Sequence, residues 1–336
     1  MDKKSMQELL RTKYRVTNGQ KFLLTDYNPS DTGGLSLTKK EAKKILKKRV
    51  KRLSELQELL YANAKNALIV ALQGMDTSGK DGTIKHVTSG INPQGISVAS
   101  FKQPGPVELA RDYLWRIHMA VPARGKIGIF NRSHYEEVLV AKVHPTLLEK
   151  QNLPTWVLND SDFWKHRYQD IHNFEIYLRR QGIGLVKIFL NISKEEQRQR
   201  LLSRLDEREK QWKFSPNDPK ERQFWEQYQA AYQEAIAQTA TENTPWIIVP
   251  ADNKWYARLV VVEVLIGELE KFDMAAPQPN PEIISSLSEL KEILGEKPSD
   301  LEQEKNAKKN KKEDISKASN EKNLDKEPKK KKDKKN

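Results

Sequence analysis

Cysteine is missing from all 336 residues of the chain, so disulfide bonds and thiolate metal sites are excluded. Long apolar runs are missing as well, and no stretch is long enough to predict a transmembrane helix. The first eight residues are not followed by the apolar segment of a secretory signal. These absences lead us to expect a cytoplasmic protein that does not bind membranes.

Aromatic residues are absent from residues 297–336, which hold 15 lysines against nine acidic residues. This segment therefore carries +6 of the net charge of +13. With so few apolar side chains it cannot bury enough surface to order itself, and we expect a disordered, Lys-rich tail. Two roles stay open: a solubilising tail, or a segment that recruits a polyanion such as nucleic acid, an anionic surface or the substrate.

The most informative segment begins with an apolar run at residues 67–72, which predicts a buried parallel strand. Gly74, Gly79 and Lys80 then give the spacing G-x-x-x-x-G-K, and a predicted helix follows. Glycines let backbone N–H groups surround an anion, and the helix N-terminus adds positive charge. The predicted phosphate-binding residues of this loop are Gly74, Thr77, Ser78, Gly79, Lys80, Asp81 and Gly82.

Two carboxylates in this loop predict a metal ion. Asp81 stands where such loops usually have a Ser or Thr, and Asp76 lies within the loop. Because carboxylates and phosphates repel each other, the pair favours Mg²⁺ (or Mn²⁺) between them. The alternative is a turn residue for Asp76 and a first-turn helix acid for Asp81.

A second cluster of candidates follows the strand predicted at residues 126–131. Asn131 and Arg132 end this strand, and an arginine there suits a bidentate clamp on an anionic chain. The alternative is an arginine paired with a surface carboxylate. Glu136 and Glu137 suit a ribose, a base or a metal, or are first-turn helix acids. His134 lies close to this cluster, but we do not predict it to be catalytic.

The segment at residues 204–222 lies between two predicted helices and is rich in basic residues, including Arg204, Arg208 and Lys213. In kinases with this type of loop, the equivalent insert is a lid that closes over the phosphates and excludes water. We therefore predict a lid. The alternative is a solvated, charged helical hairpin.

Strands and helices alternate along the chain, which predicts an α/β fold with a doubly wound parallel sheet. Ligands of such sheets bind past the carboxyl ends of the strands. The predicted divisions are an N-terminal arm with little regular structure (1–37), a phosphotransferase domain (38–275), a linker with a weak helix (276–296) and the disordered tail (297–336).

Four motifs occur in order: Gly-Met-Asp-Thr-Ser-Gly-Lys-Asp-Gly (74–82), Phe-Asn-Arg-Ser-His-Tyr-Glu (130–136), Gln-Trp-Lys-Phe-Ser-Pro-Asn-Asp (211–218) and Pro-Ala-Asp-Asn-Lys-Trp-Tyr-Ala-Arg (250–258). Together they resemble the family-2 polyphosphate kinases over about residues 14–272. The variant Ser-His-Tyr-Glu-Glu is similar to the class III subgroup, whose members accept both AMP and ADP.

This resemblance implies a thymidylate-kinase-like P-loop fold with a helical lid, in a homo-oligomer (dimer or tetramer). It also implies that Asp218 belongs to the lid. The implied catalytic residues are Asp76, Lys80, Arg132 and Arg204, and the implied metal ligands are Asp76 and Asp81.

The expected activity is Mg²⁺-dependent phosphoryl transfer between polyphosphate and nucleotides, making ADP and ATP from AMP and ADP. The main alternative is an ATP-dependent nucleotide kinase on the same fold. Another alternative is a nucleic-acid-binding protein that acts through the basic tail, although we do not expect nucleic acid to be the partner.

Overall fold

The computed structural model describes residues 2–212 and 214–295. The chain divides into two units, residues 1–276 and residues 277–336. Within the described residues of the first unit, six strands form one sheet, and helices flank it in an α/β fold. Within the described residues of the second unit there is one helix, Pro281–Ile293. The whole of the predicted Lys-rich tail, residues 297–336, lies outside the described residues.

The sheet is mostly parallel, as predicted, with strand order β1-β6-β5-β2-β4-β3. Its first strand departs from the prediction, because β1 pairs with β6 in the antiparallel direction. The strands are β1 (Arg15–Val16), β2 (Ala67–Gly74), β3 (Ile96–Ser100), β4 (Ile127–Asn131), β5 (Ile183–Asn191) and β6 (Trp246–Pro250).

Helices connect the strands and cover both faces of the sheet. The helices before β5 are α1 (Lys3–Thr12), α2 (Lys39–Asn63), α3 (Lys80–Val87), α4 (Pro106–Leu109), α5 (Trp115–Met119), α6 (Glu136–Val143), α7 (Thr146–Glu149), α8 (Thr155–Leu158) and α9 (Phe163–Arg180). Those after β5 in the first unit are α10 (Lys194–Asp206), α11 (Arg208–Gln211), α12 (Asp218–Glu221), α13 (Trp225–Thr239) and α14 (Lys254–Leu269). The helix α15 (Pro281–Ile293) belongs to the second unit. No helix within the described residues combines the length and apolarity needed to cross a bilayer.

The alternation of side chains along β2 explains the layers. All eight residues of this strand are buried. Leu68 and Val70 join the core that includes Leu53 of α2, whereas Ile69 joins a second core that includes Leu178 of α9. Successive side chains of a strand point to opposite faces. The helices α2 and α9 therefore cover opposite faces of the sheet.

The prediction of an N-terminal arm with little regular structure is wrong. Asp2 caps α1 by accepting hydrogen bonds from the backbone of Lys4 and Ser5. Leu10 of α1 and Val16 of β1 are buried in the main core. Packing and pairing with β6 stabilise a two-residue strand whose sequence alone is too short to show a pattern.

From the sequence, residues 107–119 are predicted to be helical, but they do not form one continuous helix. The chain forms the short helices α4 and α5 instead, with a turn between them. Asp112 accepts a hydrogen bond from the backbone N–H of Leu114. Aspartate side chains that bind the backbone two residues on favour turns over helices.

Candidate active site

A cavity of about 1350 Å³ lies at the carboxyl ends of the parallel strands. Its lining includes the loop after β2, the ends of β3 and β4 and the residue that follows β6. Helices α10 and α14 supply further lining residues. This position is the one that the parallel topology predicts for a ligand.

Unusual backbone angles shape the glycine-rich loop, residues 74–82. Gly79 has a φ of +105°, and a Cβ atom at Gly74 would lie 2.6 Å from Ser78 Oγ. Thr77 also has a positive φ of +64°, which is rare for a β-branched residue. Thr77 Oγ1 and Ser78 Oγ are buried and have no hydrogen-bond partner within the described residues. Because buried hydroxyl groups are normally bonded, these two indicate a site for a polar ligand.

Lys80 begins α3 and folds back over the glycine-rich loop. Its Nζ donates hydrogen bonds to the carbonyl oxygens of Gly74 at 2.5 Å and Met75 at 3.2 Å. Burial, together with the nearby positive charge of Arg132, lowers the pKa of Lys80 to about 8. An anion bound at the loop would favour the charged form of this ammonium group.

Arg132 connects the end of β4 to the glycine-rich loop. Its guanidinium donates to Asp76 at 3.0 Å and to Glu136 at 3.1 Å, and its own φ is +64°. The negative charge of Glu136, and then that of Asp76, outweighs burial and raises the pKa of Arg132. Beside it, Asn131 Nδ2 donates to Asp81 Oδ1 at 2.8 Å. The structure therefore brings these five predicted site residues together.

The predicted lid, residues 204–222, contains both cavity residues and exposed residues. Arg204 and Asp218 line the cavity and form an ion pair of 3.3 Å. Burial, and then the negative charge of Asp76, raises the pKa of Asp218. Arg208 is exposed and does not line the cavity, so its role stays a prediction. Lys213 lies outside the described residues.

Sequence reasoning missed Arg200, which lies one turn before Arg204 on α10. All five N–H groups of its buried guanidinium donate hydrogen bonds, so it fixes α10 to the glycine-rich loop and to the loop after β6. The acceptors are Glu196 Oε1 (2.7 Å) and the carbonyl oxygens of Thr77 (3.0 Å), Ser78 (3.0 Å), Ala251 (2.7 Å) and Asp252 (2.9 Å). The spacing of four residues from Arg204 was the signal that could have identified it.

Lys254 and Arg258, on the first turns of α14, were also missed. Both line the cavity, and neither has an ion pair within the described residues. Burial and then the positive charge of Arg200 lower the pKa of each of them. Their spacing of four residues, within a motif recognised in the sequence, places them on one face of the helix.

Sequence reasoning also missed two arginines, Arg116 and Arg167, that bind the predicted candidate Glu137. Arg116 donates to Glu137 at 3.1 Å and to the carbonyl oxygen of Lys102 at 2.8 Å. Arg167 donates to the carbonyl oxygen of Glu137 at 3.0 Å. Arg116 and Glu137 line the cavity, so here a buried ion pair forms part of its surface.

His134 is buried and does not line the cavity. Its Nε2 lies 3.2 Å from Glu175, which also accepts hydrogen bonds from Lys187 at 2.6 Å and from the hydroxyl of Tyr135 at 2.8 Å. This buried polar network packs next to the Arg132 turn. The arrangement fits a structural role for His134.

A sequence model of the polyphosphate kinase 2 family matches residues 36–277. The chain is 44% identical over 286 residues to the ADP-polyphosphate phosphotransferase of Rhodopseudomonas palustris, covering 85% of this chain and 99% of that protein. It is 46% identical over 267 residues to the AMP/ADP-polyphosphate phosphotransferase of Meiothermus ruber, covering 80% and 96%.

A solved structure shows the same relationship. The crystal structure of polyphosphate kinase 2 from Arthrobacter aurescens superposes with a TM-score of 0.77 at 38% identity, and the match covers 84% of this chain and 96% of that one. The resemblance inferred from the four sequence motifs is thereby confirmed. The chain belongs to the polyphosphate kinase 2 family.

Proposed function

We propose that this chain transfers phosphoryl groups between inorganic polyphosphate and AMP or ADP, and that it makes ADP and ATP. Membership of the family supports a polyphosphate phosphotransferase, and the names of the two relatives above support both nucleotides. The observation that carries the proposal is the cavity itself. It combines a glycine-rich loop and its lysine with a second set of cations on α10 and α14, enough to hold a chain of phosphates.

Phosphoryl transfer asks the protein mainly for positioning and for neutralisation of charge. A phosphate oxygen of the nucleotide attacks the terminal phosphorus of polyphosphate. A new P–O bond forms there, and the bond to the next phosphate breaks and leaves a shortened chain. We assign Lys80 and Arg132 to the oxygens of the transferred group, because both lie at the glycine-rich loop. Arg204 would add positive charge from the lid segment.

We also propose that Mg²⁺ or Mn²⁺ binds beside Asp76 and Asp81. Within the described residues, no three or more His, Cys, Asp or Glu side chains form a cluster that could hold a metal ion alone. Mg²⁺ is commonly held by one or two carboxylates together with substrate phosphates, so two aspartates beside a phosphate site fit it. Bound there, the ion would neutralise phosphate charge. Asp81→Asn should raise the metal concentration that activity requires, and full activity in excess chelator would contradict the assignment.

A P-loop kinase fold of the thymidylate-kinase type, with residues 204–222 as its lid, is part of the proposal. It is supported by the parallel order β5-β2-β4-β3 and by the loop that joins β2 to α3. A homo-oligomer is proposed from the resemblance alone, and gel filtration with light scattering would measure it.

The decisive experiment is ATP formation from ADP and polyphosphate with no other phosphate donor. We expect ATP to appear together with shortening of the polyphosphate chain. An ATP-dependent nucleotide kinase would instead convert AMP and ATP to ADP without polyphosphate. In this assay it would form ATP only by the reverse reaction of two ADP molecules, with an equal amount of AMP and with no shortening of the polyphosphate chain. If folded protein gave that second outcome, ATP would take the place of polyphosphate as the proposed phosphate donor.

A further inference from the structure

A stripe of lysines follows the first half of α2. The segment contains two arginines, Arg49 and Arg52, that bind Glu263 and Glu270 of the same unit. Its lysines have no ion pair or side-chain hydrogen bond within the described residues. They are all exposed: Lys39, Lys40, Lys43, Lys44, Lys47, Lys48 and Lys51.

This stripe repels itself. Residues three or four apart on a helix are neighbours, and like charges at that spacing destabilise the helix. Lys40, Lys44, Lys47 and Lys51 form one such line. Positive charge near a helix N-terminus also opposes the helix dipole. A bound polyanion would remove the repulsion, so the arrangement favours a ligand over an empty surface.

The N-terminal end of the stripe lies at the same position along the helix axes as the cavity. Helices α2 and α14 run in the same direction, because Arg49 meets Glu263 and Arg52 meets Glu270. Lys40 precedes Arg49 by as many residues as the cavity residue Lys254 precedes Glu263. At about 1.5 Å per residue, the line from Lys40 to Lys51 then extends about 16 Å away from that level.

We propose that this lysine stripe is a second binding site for the polyphosphate chain, outside the cavity, and the proposal rests on the proposed function. The substrate is a linear polyanion, and a chain longer than the cavity must leave it along the surface. The segment from Lys39 to Arg52 contains no aromatic residue. It therefore lacks the stacking platforms with which proteins bind single-stranded nucleic acid, whereas a polyanion without bases needs none.

The test compares two triple variants with the same loss of charge in the full chain. The first is Lys40→Gln, Lys44→Gln and Lys47→Gln on the stripe. The control is Lys165→Gln, Arg179→Gln and Arg180→Gln, all exposed on α9, which covers the opposite face of the sheet.

For the stripe variant we expect the KM for long polyphosphate to rise about tenfold at low salt, because three phosphate contacts are lost. The slope of log KM against log salt should fall by about 2, at about 0.7 for each lost contact with a single-stranded polyanion. The kcat, and the KM for chains short enough to fit within the cavity, should not change. The control variant should match the wild type in every one of these measurements.

Thermal unfolding gives an independent readout. Without ligand, the stripe variant should unfold at the same temperature as the wild type or higher, since it loses like-charge repulsion. Long polyphosphate should raise the unfolding temperature of the wild type and the control more than that of the stripe variant. Equal KM values and equal shifts for both triple variants would overturn the stripe site.

Two further outcomes are separable. If the stripe variant loses binding to duplex DNA while its KM for long polyphosphate is unchanged, the stripe is a nucleic-acid site and our proposal is wrong. If the wild type makes no ATP from any polyphosphate, the proposed function itself fails. If the wild type is active and the two triple variants give equal KM values and equal thermal shifts, only the stripe site is contradicted.

Discussion

The two walls of the cavity hold their positive charges in different ways. On the wall of β4 and α6, which we call the paired wall, Arg132 binds Asp76 and Glu136. On the wall of α14, which we call the unpaired wall, Lys254 and Arg258 form no ion pair within the described residues. The pKa of Arg132 is raised, whereas the pKa values of Lys254 and Arg258 are lowered by burial and by neighbouring cations.

This difference predicts that the paired wall acts mainly in the chemical step and the unpaired wall mainly in substrate binding. Paired charges have fixed orientations and can be aimed at the phosphoryl group that reacts, which lowers the barrier of the chemical step. Unpaired charges repel one another until an anion arrives, so they contribute mainly to binding. We therefore expect changes at the loop and the paired wall to lower kcat, and changes on the unpaired wall to raise the KM for polyphosphate.

The largest effect should come from Lys80, which lies between the two walls. Lys80→Ala should lower kcat by about 10²–10³, since it removes a charge that stabilises the transition state. Steady-state kinetics on protein with a native circular dichroism spectrum measure this. The control is Lys85→Ala on the exposed side of the same helix. Near-normal turnover of folded Lys80→Ala protein would remove the loop from the mechanism.

Arg200 should have the next largest effect, as a positioning residue that links the glycine-rich loop to the loop after β6 through their backbone carbonyl groups. Arg200→Ala should lower kcat by about 10–100-fold with little change in KM, because a displaced loop misaligns the reacting atoms. A lysine has three donors, so Arg200→Lys should recover only part of the loss. Arg198→Ala, exposed on the same helix, is the control. Full activity of Arg200→Ala would mean that the loop holds its shape without this contact.

The unpaired wall should show a smaller change that depends on salt. Lys254→Gln with Arg258→Gln should raise the KM for polyphosphate about tenfold at low salt and leave kcat and the KM for ADP nearly unchanged. Raising the ionic strength should reduce the difference, because salt weakens phosphate contacts. If kcat falls instead while KM is constant, the assignment of binding to the unpaired wall and of the chemical step to the paired wall is wrong.

The smallest effect concerns pH. Since the pKa of Lys80 is lowered to about 8, this group loses its proton as pH rises through 8 in the folded, free enzyme. We expect kcat/KM to fall over that range.

Stability changes in the opposite sense: between pH 8 and 10.5 the unfolded chain binds more protons at Lys80 than the folded one, so the free energy of unfolding rises with pH. Lys80→Met should flatten that rise, and an unchanged pH profile of stability would contradict the lowered pKa.

The sequence predicted the parts of the site that depend on local spacing. The run of apolar residues before Gly74 predicts β2, and the spacing to Lys80 predicts the loop, because both patterns involve neighbours in the chain. The position of Arg132 follows from the rule for parallel strands. The alternative of an arginine paired with a carboxylate also applies to Arg132, since it has both a carboxylate partner and a place in the cavity.

The parts that sequence reasoning missed depend on contacts between distant segments. Arg200 reaches carbonyl oxygens more than 50 residues away in both directions, and no local pattern marks a backbone oxygen as an acceptor. Lys254 and Arg258 are distinguished by the lack of an ion pair within the described residues, which only the folded chain shows. The two-residue strand β1 exists because β6 offers it a free neighbour.

That short strand has a practical consequence for producing the protein. By pairing with Trp246 and Ile247, β1 forms hydrogen bonds with backbone groups of β6 that would otherwise be unpaired at one edge of the sheet. Exposed strand borders with apolar side chains are templates for aggregation. The family match begins at residue 36, so a recombinant fragment trimmed to residues 36–277 would lose β1 and leave β6 uncovered. Such a fragment should precipitate or form aggregates, and expression should therefore retain the first 35 residues.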